Sequence, residues 1–197
     1  SAASFQLMRI SDGQPLISDI YSWDGSYGTA LDRCNLAVEN SGLGLVCSWN
    51  NFGDQGFSAY IIETGIHVGA GDADEPFGFS TEDTCFQAIA GAADGLVCAW
   101  NGTTGSGYSV YYASTNFAFG SSTAGWSDIN SCQSAIDQRS SEQICTRLGP
   151  TPMGYEAYDL QNQTKSASFS EWGWANCLDF IHPEPPEDEP RPGPPPS

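Results

Sequence analysis

Cys34-Asn-Leu-Ala-Val38, Cys85-Phe-Gln-Ala-Ile89 and Cys132-Gln-Ser-Ala-Ile136 align with one another without a gap. Thirteen residues after each first cysteine stands a second, within Gly44-Leu-Val-Cys-Ser-Trp-Asn50, Gly95-Leu-Val-Cys-Ala-Trp-Asn101 and Glu142-Gln-Ile-Cys-Thr-Arg-Leu148. The register still holds at Gly56-Phe-Ser-Ala-Tyr60, Gly107-Tyr-Ser-Val-Tyr111 and Gly154-Tyr-Glu-Ala-Tyr158. Three copies offset by 51 and 47 residues are therefore present, the signature of a repeat architecture. The copies span about 21–63, 72–114 and 119–161.

Within a copy, short apolar runs alternate with turn formers such as Asn40-Ser41-Gly42 and Gly91-Ala92-Ala93. This pattern predicts a meander of three strands, with no apolar stripe of helical length. Three such meanders predict an all-β body, a pseudo-threefold β-trefoil-like barrel, with a β-sandwich as the alternative. Cys177, in Asn176-Cys-Leu-Asp-Phe-Ile181, starts like a fourth copy, so 175–181 reads as a closing strand that pairs near Phe5-Gln-Leu-Met8. Closure would remove exposed sheet edges. The domain so defined covers 1–182, and 183–197 is a Pro-rich acidic linker or stalk of extended polyproline character.

Seven cysteines without a Cys-x-x-Cys motif, and with His67 and His182 near none of the three 13-spaced pairs, read as a disulfide framework from an oxidising compartment rather than a metal site. Two connectivities are consistent with the spacing. Pairing within each copy joins Cys34 to Cys47, Cys85 to Cys98 and Cys132 to Cys145, leaving Cys177 free. Pairing between copies joins Cys47 to Cys85, Cys98 to Cys132 and Cys145 to Cys177, leaving Cys34 free. The constant spacing favours the first. The odd thiol reads as a small buried hydrophobe, since no basic neighbour activates it.

Of 197 residues, 24 are acidic and 6 basic, a net charge of −18. Such a surface repels phosphate backbones and anionic lipid headgroups, which excludes nucleic acid as a partner. No apolar run is long enough for a bilayer span, so membrane insertion is not expected either. The sequons at Asn101 and Asn162, and a start at Ser1 without a basic, apolar leader, fit a mature extracellular protein associated with a cell wall or surface. A further module or anchor could follow Ser197.

Candidate chemistry is sparse. Nucleophile elbows, phosphate loops and dinucleotide fingerprints are absent, and nothing calls for a cofactor or a metal. The acidic run Asp72, Asp74 and Glu75 lacks the spacing of a calcium loop. Carboxylates remain as tools for glycoside hydrolysis: Asp74, Glu75, Glu82, Asp83 and Glu171 are the candidates. Trp49 and Trp100 recur at one repeat position and read as core. Trp23, Trp126, Trp172 and Trp174 instead lie in Gly/Ser-rich contexts beside Asp, Asn or Glu, the pairing of aromatic face and polar acceptors that a sugar ring requires.

The Cys-x-Trp element at Cys47–Trp49 and Cys98–Trp100, used with threefold repetition, is similar to the ricin-type lectin pattern. That family's Gln-x-Trp signature is absent, and no binding residue is carried over from it. The reading is a secreted, non-catalytic carbohydrate-associated or cell-surface module whose partner is a carbohydrate or cell-wall polymer. A polysaccharide hydrolase with two carboxylates and a structural or host-interaction surface protein are the alternatives.

Overall fold

The computed structural model describes residues 7–16, 27–50, 56–69, 78–101, 107–120, 125–148 and 153–183. In chain order they form α1 (Tyr27–Glu39), β1 (Leu45–Asn50), β2 (Gly56–Ile61), β3 (His67–Val68), α2 (Glu82–Ala90), β4 (Leu96–Trp100), β5 (Tyr108–Tyr112), β6 (Phe117–Phe119), α3 (Ile129–Asp137), β7 (Gln143–Arg147), β8 (Tyr155–Asp159), β9 (Thr164–Phe169) and α4 (Trp174–Ile181). The strands make three antiparallel three-stranded meanders, β1-β2-β3, β4-β5-β6 and β7-β8-β9. The strand content follows the expectation from sequence.

The first-cysteine segments do not. Each lies on a helix: Cys85 on α2, Cys132 on α3, Cys177 on α4 and Cys34 on α1. The reason is local. Thr81 and Asp128 sit in extended conformation just ahead of α2 and α3, and their side chains accept from the Thr84 and Ser131 backbone N–H groups. Capping of this kind starts a helix where a strand would leave those donors unused. The expected closing strand at 175–181 is accordingly α4. It packs on β7, β8 and β9. None of the three sheets closes into a barrel, so neither the trefoil-like barrel nor a two-sheet sandwich describes these strands.

Helices and sheets instead alternate as layers. Along β1 and β2, Val46 and Tyr60 meet Ala37 of α1, while Cys47 on the opposite face is bonded to Cys85 of α2. Two faces of one sheet are thus covered by two successive helices, as the two-residue period of a strand allows. Next, α2 contacts β1, β2 and β4, and α3 contacts β4, β5 and β7. The main core runs continuously through these layers, from Leu45 and Phe79 through Ile89, Val110 and Phe119 to Ile136 and Ile144.

Three disulfides cross-link consecutive units: Cys47–Cys85, Cys98–Cys132 and Cys145–Cys177. The within-copy pairing, with Cys34 bonded and Cys177 free, is corrected: Cys177 is bonded and Cys34 is the free thiol. The helical cysteines Cys85, Cys132 and Cys177 each face the first strand of the preceding sheet, so none pairs within its own copy. Burial pushes the Cys34 thiol pKa up.

Polar staples repeat the same logic. Gly69 N–H donates to Asn116 Oδ1 at 2.9 Å and Asn116 Nδ2 donates to Gly69 O at 3.0 Å, tying the β5–β6 turn to the first unit. Gln163 Nε2 donates to Thr115 Oγ1 at 3.2 Å one unit further on. Both Asn116 and Gln163 have positive φ, which places a polar side chain at the tip of a tight turn. At the entry to β4, Asp94-Gly95 forms a turn with both φ values positive (52° and 81°), bridging Ala93 to Leu96.

Asn101 is fully buried; its Nδ2 donates to Ser109 Oγ and its Oδ1 accepts from Gly107 N–H. This sequon asparagine is a structural residue. The other, Asn162, is exposed in the β8–β9 turn, where its N–H donates to Asp159.

Candidate functional site

The junction of the second and third units assembles three aromatic rings. Trp126 lies two residues ahead of Asp128, the N-cap of α3, and is held by two backbone hydrogen bonds to Tyr108, both 2.8 Å. Trp174 opens α4, and Tyr155 opens β8. The Trp126 and Trp174 ring centroids lie 5.3 Å apart at 86°, and Tyr155 is 5.2 Å from Trp174 and 5.8 Å from Trp126. These are edge-to-face and tilted contacts of the kind aromatic quadrupoles favour.

Trp126 and Trp174 form the apolar walls of an open cavity of about 320 Å³, and α3 supplies its polar wall through Asn130, Ser131 and Ser134. Residues 130 and 134 are four apart, so helical periodicity sets them on one face. Each polar group is already oriented. Ser131 Oγ donates to Asp128 Oδ2 at 2.8 Å, Asn130 Oδ1 accepts from Gln87 Nε2, and Ser134 Oγ accepts from Gln138 Nε2. A volume near the lower end of the roughly 300–1,000 Å³ range of ligand pockets suits one ring-sized group.

Asp128 is the anchor of this wall. Backbone and side-chain hydrogen bonds from Ser131 hold its carboxyl below the usual range. A group shifted this way contributes stability that is present above its unfolded-state pKa and lost as pH falls through the folded one. Asp128→Ala should therefore cost about 1 kcal/mol at neutral pH, the usual size of a lost N-cap. The difference from wild type should begin to shrink below about pH 4 and be lost as pH falls through the lower folded-state pKa. Urea unfolding over a pH series from neutral into strong acid measures it; a loss that does not shrink anywhere in that series would refute the charged capping role.

The four tryptophans named from sequence separate here. Trp126 and Trp174 come together, Trp172 stands 88% exposed outside the cavity walls, and Trp23 lies outside the described residues. Among the carboxylates, Glu82 and Asp83 occupy the first turn of α2 and Glu171 is exposed ahead of α4. None of these three lines the cavity, and Asp74 and Glu75 fall outside the described residues. Trp100 half-buries edge-on against Tyr108 at 5.0 Å, as a core-lining aromatic.

Sequence reasoning missed Tyr155, Asn130, Ser131 and Ser134. The signal for the last three was available in Asp128-Ile-Asn-Ser131, a capping sequence that places polar residues on the helix that follows. It also missed Glu156, a buried carboxylate that accepts from Tyr158 Oη at 2.7 Å and Lys165 Nζ at 3.0 Å. Its neighbours satisfy it, and burial together with Glu156 pushes the Tyr158 pKa up, so this cluster stiffens the third sheet.

Two larger cavities have other characters. One of about 560 Å³ adjoins the Arg139–Asp94 ion pair. The other, about 760 Å³, is an apolar groove beside α1. Among the described residues no group of histidine, cysteine and carboxylate side chains could hold a metal ion. No described helix is long and apolar enough to cross a membrane.

Comparison of the chain with protein families, with characterised proteins and with solved structures finds no match.

Proposed function

We propose that the protein is a non-catalytic carbohydrate-associated binding module that works outside the cell, with the Trp126–Trp174 cavity as its sugar subsite. The observation that carries this reading is the combination of two indole walls with the hydroxyl and amide groups of Ser131, Ser134 and Asn130. A pyranose presents C–H groups on its faces and hydroxyls at its rim, and these match an aromatic wall and a ring of hydrogen-bonding groups respectively. With a net charge of −18, the surface disfavours acidic polysaccharides and admits neutral or cationic ones. Three disulfides agree with an oxidising compartment, and Asn162 is the sequon whose amide is open to glycan attachment.

The test is a screen of neutral and amino-sugar glycans, followed by calorimetry on any that are retained. Trp174→Ala should weaken binding at least about tenfold, equivalent to ~1.4 kcal/mol. Because Trp174 is half-buried, Ser134→Phe provides a second arm that fills the cavity from its exposed side. It should abolish binding while leaving the melting temperature near that of wild type. Retention of glycan by both variants, or none by the wild type, would remove the proposal.

A further inference from the structure

The hydrogen bonds that hold the polar wall of the Trp126–Trp174 cavity also fix its polarity. Bonds from Ser131 keep the Asp128 carboxyl ionised below the usual range, so Asp128 can only accept. Ser131 Oγ therefore gives its proton to Asp128 Oδ2 and retains its lone pairs. Ser134 Oγ accepts from Gln138 Nε2, one helical turn on, and retains its proton. Asn130 Oδ1 accepts from Gln87 Nε2 across the contact between α2 and α3, which leaves the two N–H groups of its Nδ2. Gln133 Nε2 donates to Gln87 O, a second tie between the same helices. Among the described residues nothing else takes up Ser134 Oγ or Asn130 Nδ2.

The wall thus carries one acceptor, at Ser131, and donors at Asn130 and Ser134. Residues 131 and 134, three apart on α3, have Cβ atoms about 5–6 Å from each other. An amide holds N–H and C=O on opposite edges of one plane, so it can meet an acceptor and a donor spaced in this way. A hydroxyl must make both bonds through a single oxygen. The methyl of an acetamido group needs an apolar neighbour, which Trp126 and Trp174 supply. An ammonium group is the opposite case: it has three donors and no acceptor, so it can pair with Ser131 and meets only donors at Asn130 and Ser134.

We propose, resting on the sugar-site reading above, that the cavity selects an N-acetylated amino sugar. The acetamido methyl lies against the indoles, its N–H donates to Ser131 Oγ, and its C=O accepts from Ser134 Oγ and Asn130 Nδ2. The partner is accordingly a neutral polymer of N-acetylhexosamine, and neither its deacetylated form nor a plain glucan.

Rejection of the deacetylated form runs against the overall charge. At −18 the chain draws polycations, and a deacetylated amino sugar carries a positive charge on each ring. Local polarity and net charge therefore favour opposite ligands. Local polarity prevails at this wall, because its groups act within hydrogen-bond reach, whereas surface charges are screened within about 8 Å at physiological salt. Asp128 does not reverse the balance: it is not a wall of the cavity, and it already accepts from Ser127, Asn130 and Ser131.

Three trisaccharides with one backbone separate these ligands: triacetylchitotriose, its fully deacetylated counterpart, and cellotriose, which carries a hydroxyl in place of each acetamido group. Calorimetry on the full chain at about 0.15 M salt should give the acetylated sugar a Kd at least about tenfold below that of cellotriose. The deacetylated sugar should bind no more tightly than cellotriose, and its affinity should fall further as salt rises. Asn130→Asp keeps the acceptor that Gln87 uses and replaces the N–H donors by a second acceptor. It should weaken the acetylated sugar about tenfold and tighten the deacetylated one. Asn130 is exposed, so this variant should fold, which circular dichroism and the melting temperature check. Equal affinity for cellotriose and the acetylated sugar, or tighter wild-type binding of the deacetylated one, overturns the selection and leaves the sugar site standing. So does retention of other neutral glycans with none of the three bound, or an Asn130→Asp variant that ranks the three as wild type does. No glycan retained at all removes the site and its selectivity together.

Discussion

Cys98→Ala/Cys132→Ala should lose about 4 kcal/mol of stability in urea unfolding, and reduction of all three disulfides should unfold the chain. The pair joins residues 34 apart in sequence, and the chain-entropy treatment of a loop of that length gives about 4 kcal/mol at 25 °C. Single domains hold only about 5–15 kcal/mol in total, so one bond of this size is a large share and three exceed what the layers can replace. Position adds to it. Both sulfurs are fully buried at the junction of β4 and α3, and truncation leaves a void between the sheet and the helix it receives. Cys145→Ala/Cys177→Ala provides the contrast: α4 is the last described layer, so its release should appear as a separate early transition in near-ultraviolet circular dichroism. A loss below about 1 kcal/mol for the central pair would show that packing alone holds the layers in register.

Gly107→Ala should cost at least about 2 kcal/mol and, on the proposed function, remove glycan binding with it. A methyl group there would fall well inside van der Waals contact distance of the Trp126 carbonyl oxygen, and 3.1 Å from the Gly125 carbonyl carbon. Tyr108 and Trp126 are bound to each other by paired backbone hydrogen bonds, so the strand cannot yield without moving the indole that walls the cavity. Backbone cannot rotate away as a side-chain tip can, which puts the substitution in the severe class. Gly56 and Gly154, at the same repeat position, meet the carbonyl oxygens of Phe79 and Phe169 in the same way. Gly44→Ala is the control. Nothing lies within 4 Å of its added carbon, and only its φ of 77° is unfavourable, for a cost nearer 1 kcal/mol. Melting temperature and tryptophan fluorescence separate the two; equal, small shifts would contradict the steric argument.

The helices were legible in part. Cys85, Ala88 and Ile89 stand at i, i+3 and i+4, as do Cys132, Ala135 and Ile136, which is a helical stripe. It was too short to outweigh the strand pattern of the second-cysteine segments, and the capping residues Thr81 and Asp128 were the deciding sign. The disulfide pairing had a different obstacle. A spacing of 13 repeats because the unit repeats, so it says nothing about which partner each sulfur meets.

Residue order alone determined the three copies, the strands that follow each second cysteine, the glycines at 56, 107 and 154, and the sulfur-rich, acidic character of the chain. These are local or periodic properties, written in neighbouring residues. Only the tertiary structure decided that each helix bonds the sheet before it, that Tyr155 and Ser134 join Trp126 and Trp174, and that Cys34 is left on an open face. Those relations link residues tens of positions apart, and they exist only once stacked layers have buried one face of every helix against a sheet.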